Sequence, residues 1–182
     1  MAKTVQPMKH HATGFSLIEA MVILAIVAIL AAVAAPSFQN AINATRVKSA
    51  AEAVYGQIGF ARGESIKQDR NLFVTIQGSG STSWCIGISN TTGCNCNTPG
   101  NCLFGPTGNT AERNLTSADF NNIILTASAT ELQFNSSRGT LIPAGTLTFT
   151  VTGNTGLNTT VSTSPMGSVR ICGGNVGGYP AC

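Results

Sequence analysis

Residues 20–35 read AMVILAIVAILAAVAA, sixteen apolar residues without a break. Extended back through Phe15, Ser16, Leu17, Ile18 and Glu19, the run reaches twenty-one residues. As a helix rising ~1.5 Å per residue, it is roughly 31 Å long, the thickness of a bilayer hydrocarbon core. A helix that is apolar all round has no face to offer water, so its surroundings must be lipid or other helices. The apolar core of a cleaved secretory signal is shorter, about 7–15 residues, and ends at a small-residue cleavage site. Here Pro36, Ser37 and Phe38 follow, and the helical pattern then resumes. Lys3 and Lys9 precede the run, so the positive-inside rule places Met1 in the cytoplasm and the chain beyond Pro36 on the far side.

That single segment explains a composition that is otherwise odd for a chain of 182 residues, which has room for one ordinary domain. Apolar residues make up 43% and charged residues 9%, against roughly a quarter charged in a typical soluble domain. The formal net charge is +3, from ten Lys and Arg against seven Asp and Glu, too little for nucleic-acid binding driven by bulk electrostatics. Both histidines, His10 and His11, lie before the apolar run. A form lacking that stretch has no imidazole for Ser-His or Cys-His nucleophiles or for His-ligated metals. With no clustered carboxylates either, the reading is of a non-enzymatic protein with no cofactor and no metal site.

One residue does not suit a plain anchor. Glu19 sits about one turn inside the run, where an ionised carboxylate costs about 2.5–3.5 kcal/mol on insertion scales, so it calls for a cationic partner or for a place near the interface. The residues around it are Thr-Gly-Phe-Ser-Leu-Ile-Glu at 13–19, and with this motif the chain resembles the type IV pilin superfamily. The resemblance implies that residues 1–14 are a prepilin leader, that a prepilin peptidase cuts after Gly14, and that the new N-terminus, Phe15, is methylated. It also implies that Glu19 neutralises the N-terminal amine of a neighbouring subunit as the helices bundle, so that the carboxylate is satisfied only in the correct stagger. Without the leader, eight basic and seven acidic residues remain, and the chain is close to neutral.

The helical pattern does not end with the apolar run. Val47, Ala51, Val54, Ile58, Ala61 and Ser65 recur at spacings of 4, 3, 4, 3 and 4, one stripe along a helix face. Arg46, Lys48, Glu52, Arg62, Glu64, Lys67 and Asp69 fall largely on the other side. The spacing predicts one long helix from 15 to about 68, kinked near Pro36, whose second half needs a sheet to cover it. Short runs at 72–76, 84–88, 123–125, 132–134, 147–151, 157–161 and 169–172 read as strands, with Gly153-Asn154-Thr155-Gly156 as a hairpin turn. The fold expected is α+β and pilin-like, a long N-terminal helix packed on an antiparallel β-sheet domain. Its divisions are the leader at 1–14, a transmembrane and filament-core half-helix at 15–39, and a globular domain at 40–182 that is periplasmic or extracellular.

Within the superfamily the globular part resembles the GspH/FimT/FimU group. The segments that carry this are Phe60-Ala61-Arg62-Gly63-Glu64-Ser65-Ile66-Lys67, Val74-Thr75-Ile76, Phe134-Asn135-Ser136-Ser137-Arg138-Gly139, and the stretch from Ser164 to Cys172. The terminal cysteine-containing strand favours pilus-type members over the secretion-type one.

All six cysteines, Cys85, Cys94, Cys96, Cys102, Cys172 and Cys182, lie beyond the apolar run, on the side expected to be oxidising. An even count there argues for disulfides. A zinc site from the first four competes with that reading, but C-x2-C pairs are absent. A Cys172–Cys182 bridge would pin a glycine-rich loop. Cys94 and Cys96 each join Cys85 or Cys102, and the sequence leaves both arrangements open.

The expected function is that of a minor type IV pilin, a structural and assembly component of a tip-proximal or initiating complex. It inserts once in the inner membrane with its N-terminus cytoplasmic and then joins the pilus fibre. Its expected partners are the prepilin peptidase, other minor pilins, the major pilin and the inner membrane. Two alternatives stand beside this. One is an H-type pseudopilin of type II secretion. The other is a DNA-binding minor pilin for natural transformation, suggested by the Gly-Arg-x-Arg motif of FimT-like relatives. Gly167 and Arg170 match that motif, with Arg170 the candidate DNA contact, but Ser168 stands at the first arginine position.

Overall fold

The structure, a computed structural model, describes residues 14–182, the side chain of Pro36 excepted. Residues 1–13, with Lys3, Lys9, His10 and His11 and all but the last residue of the leader expected at 1–14, lie outside the described residues. By its internal contacts the chain divides into two compact units, Met1–Gln39 and Asn40–Cys182.

Helix α1, Leu17–Lys67, begins in the first unit and ends in the second, and its assignment continues across position 36. In the first unit every described side chain of the apolar run is exposed, and the segment is long and apolar enough to cross a membrane. In the second unit the stripe is closed. Val47, Ala51, Val54, Ile58, Ala61 and Ser65 are all at 0% exposure, while Arg46, Glu52, Lys67 and Asp69 are exposed. The helix stops at Asp69, which takes the left-handed backbone conformation (φ 47°). The Arg70 N–H donates to the Ser65 carbonyl at 3.1 Å and the Asp69 N–H to that of Ile66 at 3.3 Å, a Schellman ending that satisfies carbonyls the helix would otherwise leave open.

Eleven strands follow. They are β1 (Leu72–Gln77), β2 (Cys85–Ser89), β3 (Leu103–Phe104), β4 (Ala111–Glu112), β5 (Asn114–Thr116), β6 (Ile123–Ala127), β7 (Glu131–Phe134), β8 (Leu141–Ile142), β9 (Leu147–Gly153), β10 (Asn158–Thr163) and β11 (Val169–Cys172). They form a five-stranded sheet ordered β5-β2-β1-β7-β8, a four-stranded sheet ordered β11-β10-β9-β6 and the small β3-β4 ladder, with every pairing antiparallel. The hairpin expected at 153–156 joins β9 to β10, with Val151 opposite Thr159.

The sequence predicts one sheet of seven runs; the structure divides those runs between two sheets and adds four strands of two or three residues. Runs that short give no alternation to read. Strand β2 begins one residue later than its hydrophobic run suggests and is buried at all five positions. Ile86 and Ile88 belong to the core that α1 covers, while Cys85 is buried in a separate cluster with Cys94, Cys96 and Cys102. Gly87 lies close under that cluster, where an added Cβ would fall 2.4 Å from the Cys102 sulfur. Burial on both faces erases the polar half of the pattern.

The main core joins the helix stripe to Leu72, Val74, Ile76, Leu132, Phe134, Phe149, Val151 and Val161. Polarity inside it is met locally. Gln57, 3% exposed, donates from Nε2 to the Arg113 carbonyl at 2.8 Å and accepts from Arg113 Nε at 3.0 Å, and the Arg113 guanidinium lies 4.4 Å from the centre of the Phe60 ring.

Candidate functional site

The residues with an expected role fall in two places, one in each unit. At the start of the described chain Gly14, Phe15 and Ser16 precede α1 in an irregular segment, and Gly14 and Phe15 are exposed. Among the described residues nothing lies within 4 Å of the position a Gly14 Cβ would take. The Ser16 carbonyl accepts the Ala20 N–H at 3.2 Å, and Glu19 sits in the first helical turn, where a carboxylate is favoured by the helix dipole. The single ion pair among the described residues joins Lys67 to Glu64 at 3.0 Å, so Glu19 has no cation there. An exposed glycine, a short lead into the helix and an acid one turn on thus stand together at the start of the described chain.

In the second unit the cysteines are paired. Cys85 bonds Cys96 and Cys94 bonds Cys102, which resolves the two arrangements the sequence leaves open; Cys172 bonds Cys182. The first two bridges fold residues 94–102 against β2 and leave no thiolate among those four for zinc. The third closes the C-terminal loop, in which the Gly173 N–H donates to the Pro180 carbonyl and the Tyr179 hydroxyl donates to Glu52 Oε1 of α1 at 3.1 Å. Burial, and then the bond to the Glu52 carboxylate, push the Tyr179 phenol above its ordinary pKa. On the far end of α1 the Glu64 carboxyl is held below the usual carboxylate range, first by the Gln68 amide and then by Lys67.

Arg170 is exposed, and its guanidinium lies 3.5 Å from the Cys182 carbonyl oxygen. Ser168, at the first arginine position of the motif, bonds Ser164.

A residue of the polar helix face, for which the sequence predicts no contact, proves central. Arg62 donates from Nε to the Gly139 carbonyl at 3.1 Å and from a terminal nitrogen to the Met166 carbonyl at 3.2 Å. It therefore ties together three segments that are scattered in the sequence, the end of α1, the 134–139 turn and the 164–172 stretch. Gly167 (φ 78°) lets the two turns meet, since a Cβ there would stand 1.9 Å from the Gly139 carbonyl oxygen. The available signal was an arginine beside the buried stripe, next to Ala61, with two glycine turns far along the chain.

Comparison with known proteins bears on the family and the fold. The family described as "Type II transport protein GspH" matches residues 50–167, close to two thirds of the chain, and the "Prokaryotic N-terminal methylation motif" matches residues 9–35. The crystal structure of the type IV minor pilin FimU of Pseudomonas aeruginosa is similar with a TM-score of 0.51 at 21% identity, over 70% of this chain and 88% of that one. A second crystal form of FimU aligns with a TM-score of 0.48 at 22% identity, over 68% and 90% of the two chains. No curated protein matches.

Proposed function

The chain belongs to the GspH family and is a type IV pilin of the GspH/FimT/FimU type, and from that membership we propose that it serves as a minor pilin in the assembly of a type IV pilus. The observation that carries the reading is the continuity of α1: an all-round apolar half with one acid in its first turn runs directly into a half whose apolar stripe is sealed by the domain. In this reading prepilin peptidase cuts after Gly14, Phe15 is methylated, and the chain crosses the inner membrane with Lys3 and Lys9 on the cytoplasmic side. The apolar half then leaves lipid for a bundle of like helices among other minor pilins and the major pilin. Glu19 meets the Phe15 amine of a neighbour, which cancels two charges that a dry bundle could not hold singly. The possession of Glu19 supports a position below the tip, where there is a neighbour to pair with.

The test is Glu19→Ala. Insertion should be intact, because the substitution makes the segment more apolar, and recovery in sheared pili should fall. Normal recovery in pili would sink the assignment of Glu19, and an isolated protein whose first residue is still Met1 would sink the processing step.

The family description itself supports a second reading, an H-type pseudopilin of type II secretion, with the same processing and a different partner set. Cross-linking from the exposed half of α1 to pilus or to secretion subunits separates the two. The DNA-binding alternative rests on Arg170 alone, a single guanidinium that already faces a carbonyl oxygen.

A further inference from the structure

Strand β5 is one edge of the five-stranded sheet and pairs only with β2. Its register sets Leu115 opposite Ile86, and the Ser117 N–H donates to the Trp84 carbonyl at 2.9 Å. In an antiparallel pair the residues that bond the partner strand alternate with residues whose N–H and C=O point away from it. Since 115 and 117 face β2, the backbone groups of Asn114 and Thr116 face outward. Among the described residues none of these four groups has a hydrogen-bond partner. The edge at β6 differs. On β6, the Leu125 carbonyl accepts the Gly80 N–H and the Ala127 N–H donates to Ser79 Oγ. On β11 the Gly173 N–H that continues the edge is bonded to Pro180, but the outward groups of Val169 and Ile171 are without a partner among the described residues; the charge on that strand is Arg170, so only β5 joins an open edge to carboxylates.

Beside β5 lies an open groove of about 620 Å³, whose lining includes Ser83, Trp84, Asn97, Pro99, Glu112 and Thr116. The 94–102 loop supplies the wall opposite the strand and is itself fastened by the Cys85–Cys96 and Cys94–Cys102 bridges, so the groove is held in shape. Its charge is one-sided. Glu112 lines it, held in place by the Gly100 N–H and by the Asn114 amide at 2.8 Å, and exposed Asp119 follows the strand at its other end. Neither carboxylate has a cationic partner among the described residues. Arg113, the cation nearest in sequence, turns its guanidinium to Gln57 and the Phe60 ring.

We propose that β5 and this groove form a strand-addition site for an extended polypeptide segment that carries Lys or Arg, contributed by another protein. The four outward groups of Asn114 and Thr116 would bond its backbone, and Glu112 and Asp119 would select its charge. A second copy of this chain pairing through its own β5 would set like charges against each other and is not the occupant. The site does not depend on the filament role, and its test requires no pilus.

The probe is the heptapeptide Thr-Lys-Val-Thr-Val-Lys-Thr, added to the full chain in detergent, with a control carrying Glu at both Lys positions. Trp84 is the only tryptophan and lines the groove, so its fluorescence reports occupancy. Saturable binding of the Lys peptide that weakens with salt is expected, with slowed amide exchange at residues 114 and 116. Thr116→Pro removes an outward N–H without touching the β2 ladder and should weaken binding about tenfold, the loss of a backbone bond plus its geometry. Glu112→Gln keeps the bond from Gly100 and should reduce both the affinity and its salt dependence, so the proposal stays falsifiable if the proline variant fails to fold. Equal binding of the two peptides, no change in either variant, or no saturable signal at low salt would each overturn the proposal.

Discussion

The two halves of α1 both carry aliphatic residues, and these meet opposite fates. Ile26 and Val27 stand 52% and 54% exposed, whereas Val54 and Ile58, about eight turns on, are at 0%. The difference lies in what surrounds the aliphatic residues in sequence. From 47 to 65 they are confined to one stripe, with charges and glycines between, so one packed surface satisfies them all. From 20 to 35 no residue is polar, and no single surface can cover every side. A one-sided demand is met within the chain, and an all-round demand has to be met by lipid or by other chains.

The same substitution made in each half should separate the two demands. Ile58→Ala leaves a cavity at the centre of the sealed face and should destabilise the domain by about 2–5 kcal/mol in thermal or chemical unfolding. Ile26→Ala should leave domain unfolding unchanged, and a comparable loss from both would refute the division of labour. Cys172→Ser with Cys182→Ser frees the C-terminal loop from α1 and should cost about 2–3 kcal/mol, with trypsin access to Lys48 as a second readout. Arg62→Ala strips the donor from the Gly139 and Met166 carbonyls, for a loss of about 1.5–3 kcal/mol, while Arg46→Ala on the exposed side should stay within about 0.5 kcal/mol.

The smallest effect is on pH. The folded state raises the Tyr179 phenol, so the stability it contributes is complete below the unfolded value near 10 and is lost as pH rises through the folded one. Tyr179→Phe should remove that alkaline slope. Glu64 runs the other way: its lowered pKa contributes stability above the ordinary carboxylate value that is lost as pH falls through the folded one, and Glu64→Gln should flatten the acid limb slightly.

Much of the fold was legible because burial leaves a periodic trace. The stripe from Val47 to Ser65 is sealed residue for residue, and the run at 147–151 gives β9 with Phe149 and Val151 buried. Strands β3, β4, β5 and β8 were illegible, since their place is fixed by disulfides and by neighbouring strands rather than by their own pattern. Gln57 escaped notice for a related reason. A glutamine beside a stripe looks solvated until Arg113, 56 residues away, arrives to bond it. The same holds at the sites. Gly14, Phe15 and Glu19 are read from seven consecutive residues, but the groove beside β5 draws on residues from 83 to 118 and has no local signature.

The sequence by itself determined the apolar segment, its orientation signal, the expected position of the cut and the acid one turn beyond it, because each depends on neighbours along the chain. Only the tertiary structure decided which cysteines pair, that Arg62 fastens two distant glycine turns, and which open strand edge stands beside the acidic groove. Those outcomes depend on which groups meet in space, and residues separated by up to 127 positions meet only once the sheets have closed over the helix.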